Sequence, residues 1–139
     1  MPIIVCFSYG LDADGSFGKV NETRCARATQ LFKRLKIQNN GRTWIVVTAR
    51  WIPNFPLQKT ELGNMQRAYL EDECGVPRLR IWPSELELLL LRERNGNIIS
   101  TVDEIKEALR IVAEKGIPGP LYAVSHWYHL PRVLWYGWW

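Results

Sequence analysis

The sequence predicts an α/β fold, a three-layer sandwich built on a mainly parallel sheet of about four to five strands. Two observations carry that expectation. Four short, continuous apolar runs, Ile3 to Tyr9, Trp44 to Thr48, Leu79 to Trp82 and Leu121 to Ser125, are rich in branched and aromatic residues. Runs of this kind, without polar alternation, are the mark of strands covered on both faces, as parallel strands are. Between the runs lie longer segments whose apolar residues recur at helical spacing. Alternating strands and helices imply a parallel sheet joined by right-handed crossovers.

The elements follow in order. The first strand ends at Gly10 and gives way to a loop, Leu11 to Lys19, whose Asp12, Asp14, Gly15 and Gly18 are turn formers. Asn21 is placed to cap a helix running to about Leu35, with Ala28, Leu31, Phe32 and Leu35 on one side. Asn39, Asn40 and Gly41 end it. The second strand, from Trp44, runs into a proline-broken loop between Trp51 and Pro56. A second helix starts at Gln58 or Thr60, carries Leu62, Met65, Tyr69 and Leu70, and stops at Gly75 and Pro77. After the third strand, Ser84 and Glu87 form a capping-box pattern, so residues 84–99 are expected to be a helix followed by a turn at Asn95-Gly96. Ser100 with Asp103, and Thr101 with Glu104, are two overlapping capping boxes for a helix to about Lys115. Gly116 to Pro120 connects it to the fourth strand. A last helix is expected near His129 or Leu130, with Pro131 in its first turn.

The chain's 139 residues suit one domain with a real core. Apolar residues make up 47% and charged residues 23%, which is ordinary for a globular protein and excludes a disordered one. Eighteen basic residues against 14 acidic ones give a net charge of +4. The densest basic stretch, Lys33, Arg34 and Lys36, lies on an amphipathic helix and reads as a solvated face rather than a nucleic-acid stripe. The expected partner is therefore a small anionic molecule and not nucleic acid. Three separated cysteines, Cys6, Cys25 and Cys74, form neither a disulfide framework nor a thiolate zinc motif. Together with the absence of a leader pattern or a membrane-length apolar run, they lead to an expected cytoplasmic location with no membrane span.

In open α/β sheets, ligands bind at the carboxyl ends of the strands. That rule selects Ser8, Tyr9, Gly10, Thr48, Arg50 and Ser125. The helix starts that follow add Arg24, Thr60, Glu61, Ser100 and Thr101, since helix N-termini present N–H groups and partial positive charge. His129 and Arg132 share a helix face at i and i+3. Histidine titrates near neutrality and is the candidate acid or base, while arginine holds carboxylate or phosphate with paired hydrogen bonds. Glu61 and Glu104 are candidates to orient His129 or a ligand hydroxyl. Each of these residues also has a plain structural reading. His129 can cap its turn, Arg132 can pair with Glu61 or Glu104, and the macrodipole alone favours both first-turn carboxylates.

No metal site is expected, because His126 and His129 lack the third ligand that a catalytic zinc takes. Ser125 lacks a G-x-S-x-G elbow, and no dinucleotide or P-loop fingerprint is present. Six aromatic residues, Trp127, Tyr128, Trp135, Tyr136, Trp138 and Trp139, crowd the C-terminal segment. They read either as packing against the sheet or as a homodimer surface.

These motifs, taken in order, resemble the YdcF/SanA/ElyC-like domain of unknown function. The pattern is R-x-x-x-A-x-x-L at Arg24, Ala28 and Leu31; [ST]-E-x-x-x-M at Thr60, Glu61 and Met65; G-V-P at Gly75, Val76 and Pro77; S-T-x-x-E at Ser100, Thr101 and Glu104; and S-x-x-x-H-x-x-R at Ser125, His129 and Arg132. The matches span nearly the whole chain. The resemblance implies a Rossmann-like sheet, a cleft lined by these polar positions, and S-adenosylmethionine as a ligand to test. Three departures stand out. The first strand ends Ser8-Tyr9-Gly10 with a single glycine, the second ends Thr48-Ala49-Arg50, and the chain stops at Trp139, short of the family's usual further strand and helix. The lost glycines narrow the room for a phosphate to approach the backbone.

The leading expectation is a single domain that binds a small anionic or nucleotide-like ligand at the carboxyl ends of its strands, with acid/base chemistry by His129. An interaction protein using its aromatic tail and sheet edge is the alternative, and a metal-assisted hydrolase is a third. Whether the chain is an enzyme is left open by its sequence.

Overall fold

The computed structural model describes residues 2–38, 43–48, 57–58, 60, 62–83, 101–116 and 120–124. Within them the order is β1 (Ile3–Cys6), α1 (Lys19–Gln38), β2 (Trp44–Val46), α2 (Leu62–Asp72), a 3-10 turn (Arg78–Arg80), β3 (Ile81–Trp82), α3 (Thr101–Lys115) and β4 (Leu121–Val124). The four strands form one sheet in the order β3-β2-β1-β4. All three pairings are parallel, with Ile4 opposite Ile45 and Tyr122, and Val46 opposite Trp82. The expected α/β sandwich with a parallel sheet is thus what the chain forms, flanked by three helices.

The apolar run of β1 explains the layers. Ile4 and Cys6 face one side, where they meet Cys25, Ala28, Phe32 and Leu35 of α1 and Leu70 of α2. Ile3, Val5 and Phe7 face the other, where they meet Ile105, Ala108 and Ile111 of α3. Alternate side chains of a strand point to opposite faces, so a strand buried on both must be apolar throughout. Each such side chain contributes about 1.5–3 kcal/mol when fully covered.

Boundaries differ from the sequence expectation where polar side chains take over from the ladder. The first strand ends at Cys6 rather than Tyr9, and α1 starts at Lys19, so Asn21 lies inside the helix instead of capping it. The third run is half strand: Arg78–Arg80 forms a 3-10 turn and only Ile81 and Trp82 pair. The end of α2 follows the glycine signal. Gly75 takes φ +72°, and the Val76 N–H bonds the Leu70 carbonyl at 2.9 Å. Residues 84–99, the expected last helix and the aromatic segment 127–139 lie outside the described residues.

At the β2–β3 edge of the sheet, Trp44 and Trp82 stack with ring centroids 3.8 Å apart. Arg80 lies 4.7 Å from the centroid of the Trp44 ring and Lys115 lies 5.0 Å from that of Trp82. Cation–π contact helps hold this corner together.

The three cysteines are free, with Cys6 and Cys25 buried and Cys74 partly exposed. A hydrogen bond with the Cys6 thiol, together with burial, holds the Cys25 thiol far above the ordinary cysteine range. Since the thiolate is the reactive species, iodoacetamide should label Cys74 at least about tenfold faster than Cys6 or Cys25 in the folded protein. Peptide mass mapping over a time course measures this, and equal labelling of all three would contradict the packing.

Candidate functional site

The described polar residues concentrate where β1 and β2 end. Cys6, the last residue of β1, presents its carbonyl to Gln66 Nε2 of α2 at 3.1 Å. The next two carbonyls, of Phe7 and Ser8, accept from Arg24 Nη1 of α1 at 3.3 and 2.8 Å. Beyond them the Tyr9 N–H donates to Asn21 Oδ1 at 2.7 Å, and Asn21 Nδ2 donates to the carbonyls of Phe17 at 2.7 Å and Gly10 at 3.0 Å. One asparagine in the first turn of α1 therefore holds both ends of the connecting loop. Backbone groups that leave a ladder need partners when buried, and here side chains of two helices supply them.

Glu104, from the first turn of α3, reaches the same place from the other face of the sheet. Its carboxylate accepts the Ser8 N–H at 3.2 Å, the Ser8 hydroxyl at 3.1 Å and the Thr48 hydroxyl at 2.9 Å. It thereby bridges the ends of β1 and β2. Ser8, Arg24, Thr48 and Glu104 are each no more than 1% exposed. Tyr9, by contrast, is 45% exposed, with the Arg24 guanidinium 5.3 Å from its ring centroid. Charged groups survive burial only when hydrogen-bonded, and this cluster meets that condition across four elements: two strand ends and the first turns of two helices.

Of the residues the sequence selected, the fold brings together Ser8, Tyr9, Gly10, Arg24, Thr48 and Glu104. Arg24 directs Nη1 at backbone carbonyls, and Glu104 gathers two of the selected hydroxyls. Thr60 stands just before α2, where its hydroxyl accepts from Asn64 Nδ2 at 2.9 Å. Thr101 begins α3. Arg50, Glu61, Ser100, Ser125, His129 and Arg132 lie outside the described residues.

The strand order adds a location. Passing from β1 to β2 and β3 the chain moves one way across the sheet, and β4 lies on the opposite side of β1. The winding therefore reverses between β1 and β4, and such a reversal opens a crevice at the strands' carboxyl ends. Ser8 and Glu104 stand at its β1 side. No protein-family model, curated protein or solved structure matches this chain. The family resemblance accordingly rests on the order of short motifs alone, and any function must be argued from the site.

Two buried polar residues escape a reading by spacing. Gln66 and Arg67 are buried in α2. Gln66 sits between Leu62 and Leu70 at four-residue intervals, so a polar residue within an apolar stripe was the available signal. Asn21 was visible as a capping type but pointed to the wrong role. Among the described residues, no group of three or more His, Cys, Asp or Glu side chains could hold a metal ion. No helix of the described residues is long and apolar enough to cross a membrane.

Proposed function

We propose that this chain binds a small, nucleotide-like ligand in the crevice at the carboxyl ends of β1 and β4. The observation that carries the reading is the convergence of Ser8, Arg24, Thr48 and Glu104, from four separate elements, on the β1 side of the point where the winding reverses. In open parallel sheets ligands bind at the carboxyl ends of the strands beside such a reversal, which is where these polar groups gather. S-adenosylmethionine is a ligand to test because of the motif resemblance. His129, Arg50 and Arg132 are the proton-transfer and anion-holding groups that the sequence offers, in the segments that follow β4 and β2 along the chain. The exposure of Leu121 and Tyr122 on β4 favours a second reading, in which a second copy of the chain covers this strand with help from the aromatic tail.

A thermal-shift screen tests the ligand reading. Nucleosides, nucleotides, S-adenosylmethionine and phosphosugars are compared on the wild type, Arg132→Ala and His129→Ala. A saturating ligand should raise stability by about 2–4 kcal/mol, following its concentration over Kd. If no compound shifts the wild type, or if all shift the three proteins equally, the reading fails.

A further inference from the structure

We infer that Tyr9 is a stacking platform for a flat heterocyclic ring, so that the ligand held at this rim carries a nucleobase and is not a sugar phosphate alone. The inference rests on the ligand reading above and sets its chemical class. Tyr9 follows closely on Cys6, the last residue of β1, in the connection that leads to α1. That connection leaves the sheet on its carboxyl side, where open α/β folds receive ligands.

Aromatic rings gain much from being covered. Tyr9 nevertheless stays 45% exposed, while Phe7 and Ser8 just before it are buried. The exposure is not that of a loose loop. The Tyr9 N–H donates to Asn21 Oδ1 at 2.7 Å, and Asn21 Nδ2 donates to the Gly10 carbonyl at 3.0 Å and reaches the Tyr9 carbonyl at 3.5 Å. Asn21 is itself fully buried in α1. The ring is therefore displayed from a backbone tied on both sides, and a contact surface ordered in advance loses less entropy on binding.

Arg24 decides which face of the ring is presented. Its guanidinium carbon lies over the ring, 5.3 Å from the centroid, and the residue is 1% exposed. The face turned to Arg24 is thus turned to the protein, and the exposure belongs to the opposite face and the edge. Space beside it is open: a Cβ added at Gly10 would meet no described atom within 4 Å. A cation behind the ring draws π density towards itself. The outer face is then less repulsive to the electron-rich face of a base in an offset stack. Stacking on an aromatic side chain holds any base, because every base has a π face.

The test compares adenosine, adenosine 5′-monophosphate and ribose 5-phosphate by calorimetry on the full chain and its Tyr9 variants. The last two compounds share the sugar phosphate and differ in the base. The monophosphate should bind at least about tenfold more tightly than ribose 5-phosphate. Tyr9→Ala should weaken adenosine and its monophosphate by about tenfold each and leave ribose 5-phosphate within about twofold. Tyr9→Phe keeps the ring and should stay within about twofold of wild type for all three. Tyr9→Leu keeps apolar bulk without a π face. It should lose nearly as much as alanine, and it keeps the test decisive if Tyr9→Ala does not fold.

The platform is overturned, with the ligand reading left standing, if ribose 5-phosphate binds as tightly as the monophosphate. The same follows if adenosine binds Tyr9→Leu as tightly as wild type, or if a Tyr9 variant weakens all three compounds alike. Failure of all three to bind the wild type removes the ligand reading and this inference together.

Discussion

Replacing Glu104 by alanine should destabilise the protein by about 3–5 kcal/mol, because three donors lose one acceptor in a place that water does not reach. The carboxylate carries a desolvation penalty of its own, which its removal would return. The other side of the balance wins. The Ser8 N–H, the Ser8 hydroxyl and the Thr48 hydroxyl all point at Glu104 from β1 and β2. Hydrogen bonds to a charged group are worth about 1.5–3 kcal/mol each, and the buried N–H would be left unpaired. For a chain of this length the melting temperature should fall by roughly 10–20 °C. Glu104→Gln keeps the size and one acceptor oxygen and should cost less than half as much. Thermal unfolding followed by circular dichroism measures both. A Glu104→Ala midpoint within about 2 °C of wild type would show that the bridge between the strand ends is not part of the stable structure.

Arg67→Ala should cost about 3–4 kcal/mol, and Arg67→Lys should restore little of it. Arg67 is 3% exposed. Its Nη1 donates to the carbonyls of Ile81 at 2.6 Å and Pro83 at 2.8 Å, and its Nη2 donates to that of Arg78 at 3.0 Å and pairs with Glu71 at 3.3 Å. Strand β3 has only two residues, too few for a ladder to hold it in place. The guanidinium of α2 therefore does much of the fastening of β3 and the turn before it. A lysine ammonium cannot span three carbonyls that a planar fork reaches. Urea unfolding should show a lower midpoint at an unchanged m-value. Amide exchange at Val47, which donates to the Trp82 carbonyl at 2.8 Å, should quicken as β3 loosens. Full rescue by lysine would refute the fork argument.

Both substitutions bear on what is legible in a sequence. The apolar run from Ile3 to Phe7 needs no knowledge of the fold to be read as a strand covered on two faces, and the two core clusters divide its residues by parity. The capping pattern at Thr101 and Glu104 likewise marks a helix that runs to Lys115. For Glu104, however, the local reading stops at a favourable place on the macrodipole. That its carboxylate ties together residues 96 and 56 positions away is a property of the packed sheet.

Asn21, Gln66 and Arg67 make the same point from the other direction. Each is a residue type normally found at the surface. Each is buried here where strand ends and the loops beside them present carbonyls that require donors.

Periodicity and local capping chemistry depend on residues three or four apart, and so the parallel sheet, its helices and the edge where polar groups would gather were determined by the amino-acid order itself. Which side chains meet at that edge, and whether its backbone N–H groups face a ligand or are taken by Glu104 and Asn21, was decided only when distant segments packed together. The physical reason is that hydrogen bonds between elements are set by the angles and distances of close packing, and these are not written in the spacing of any one element.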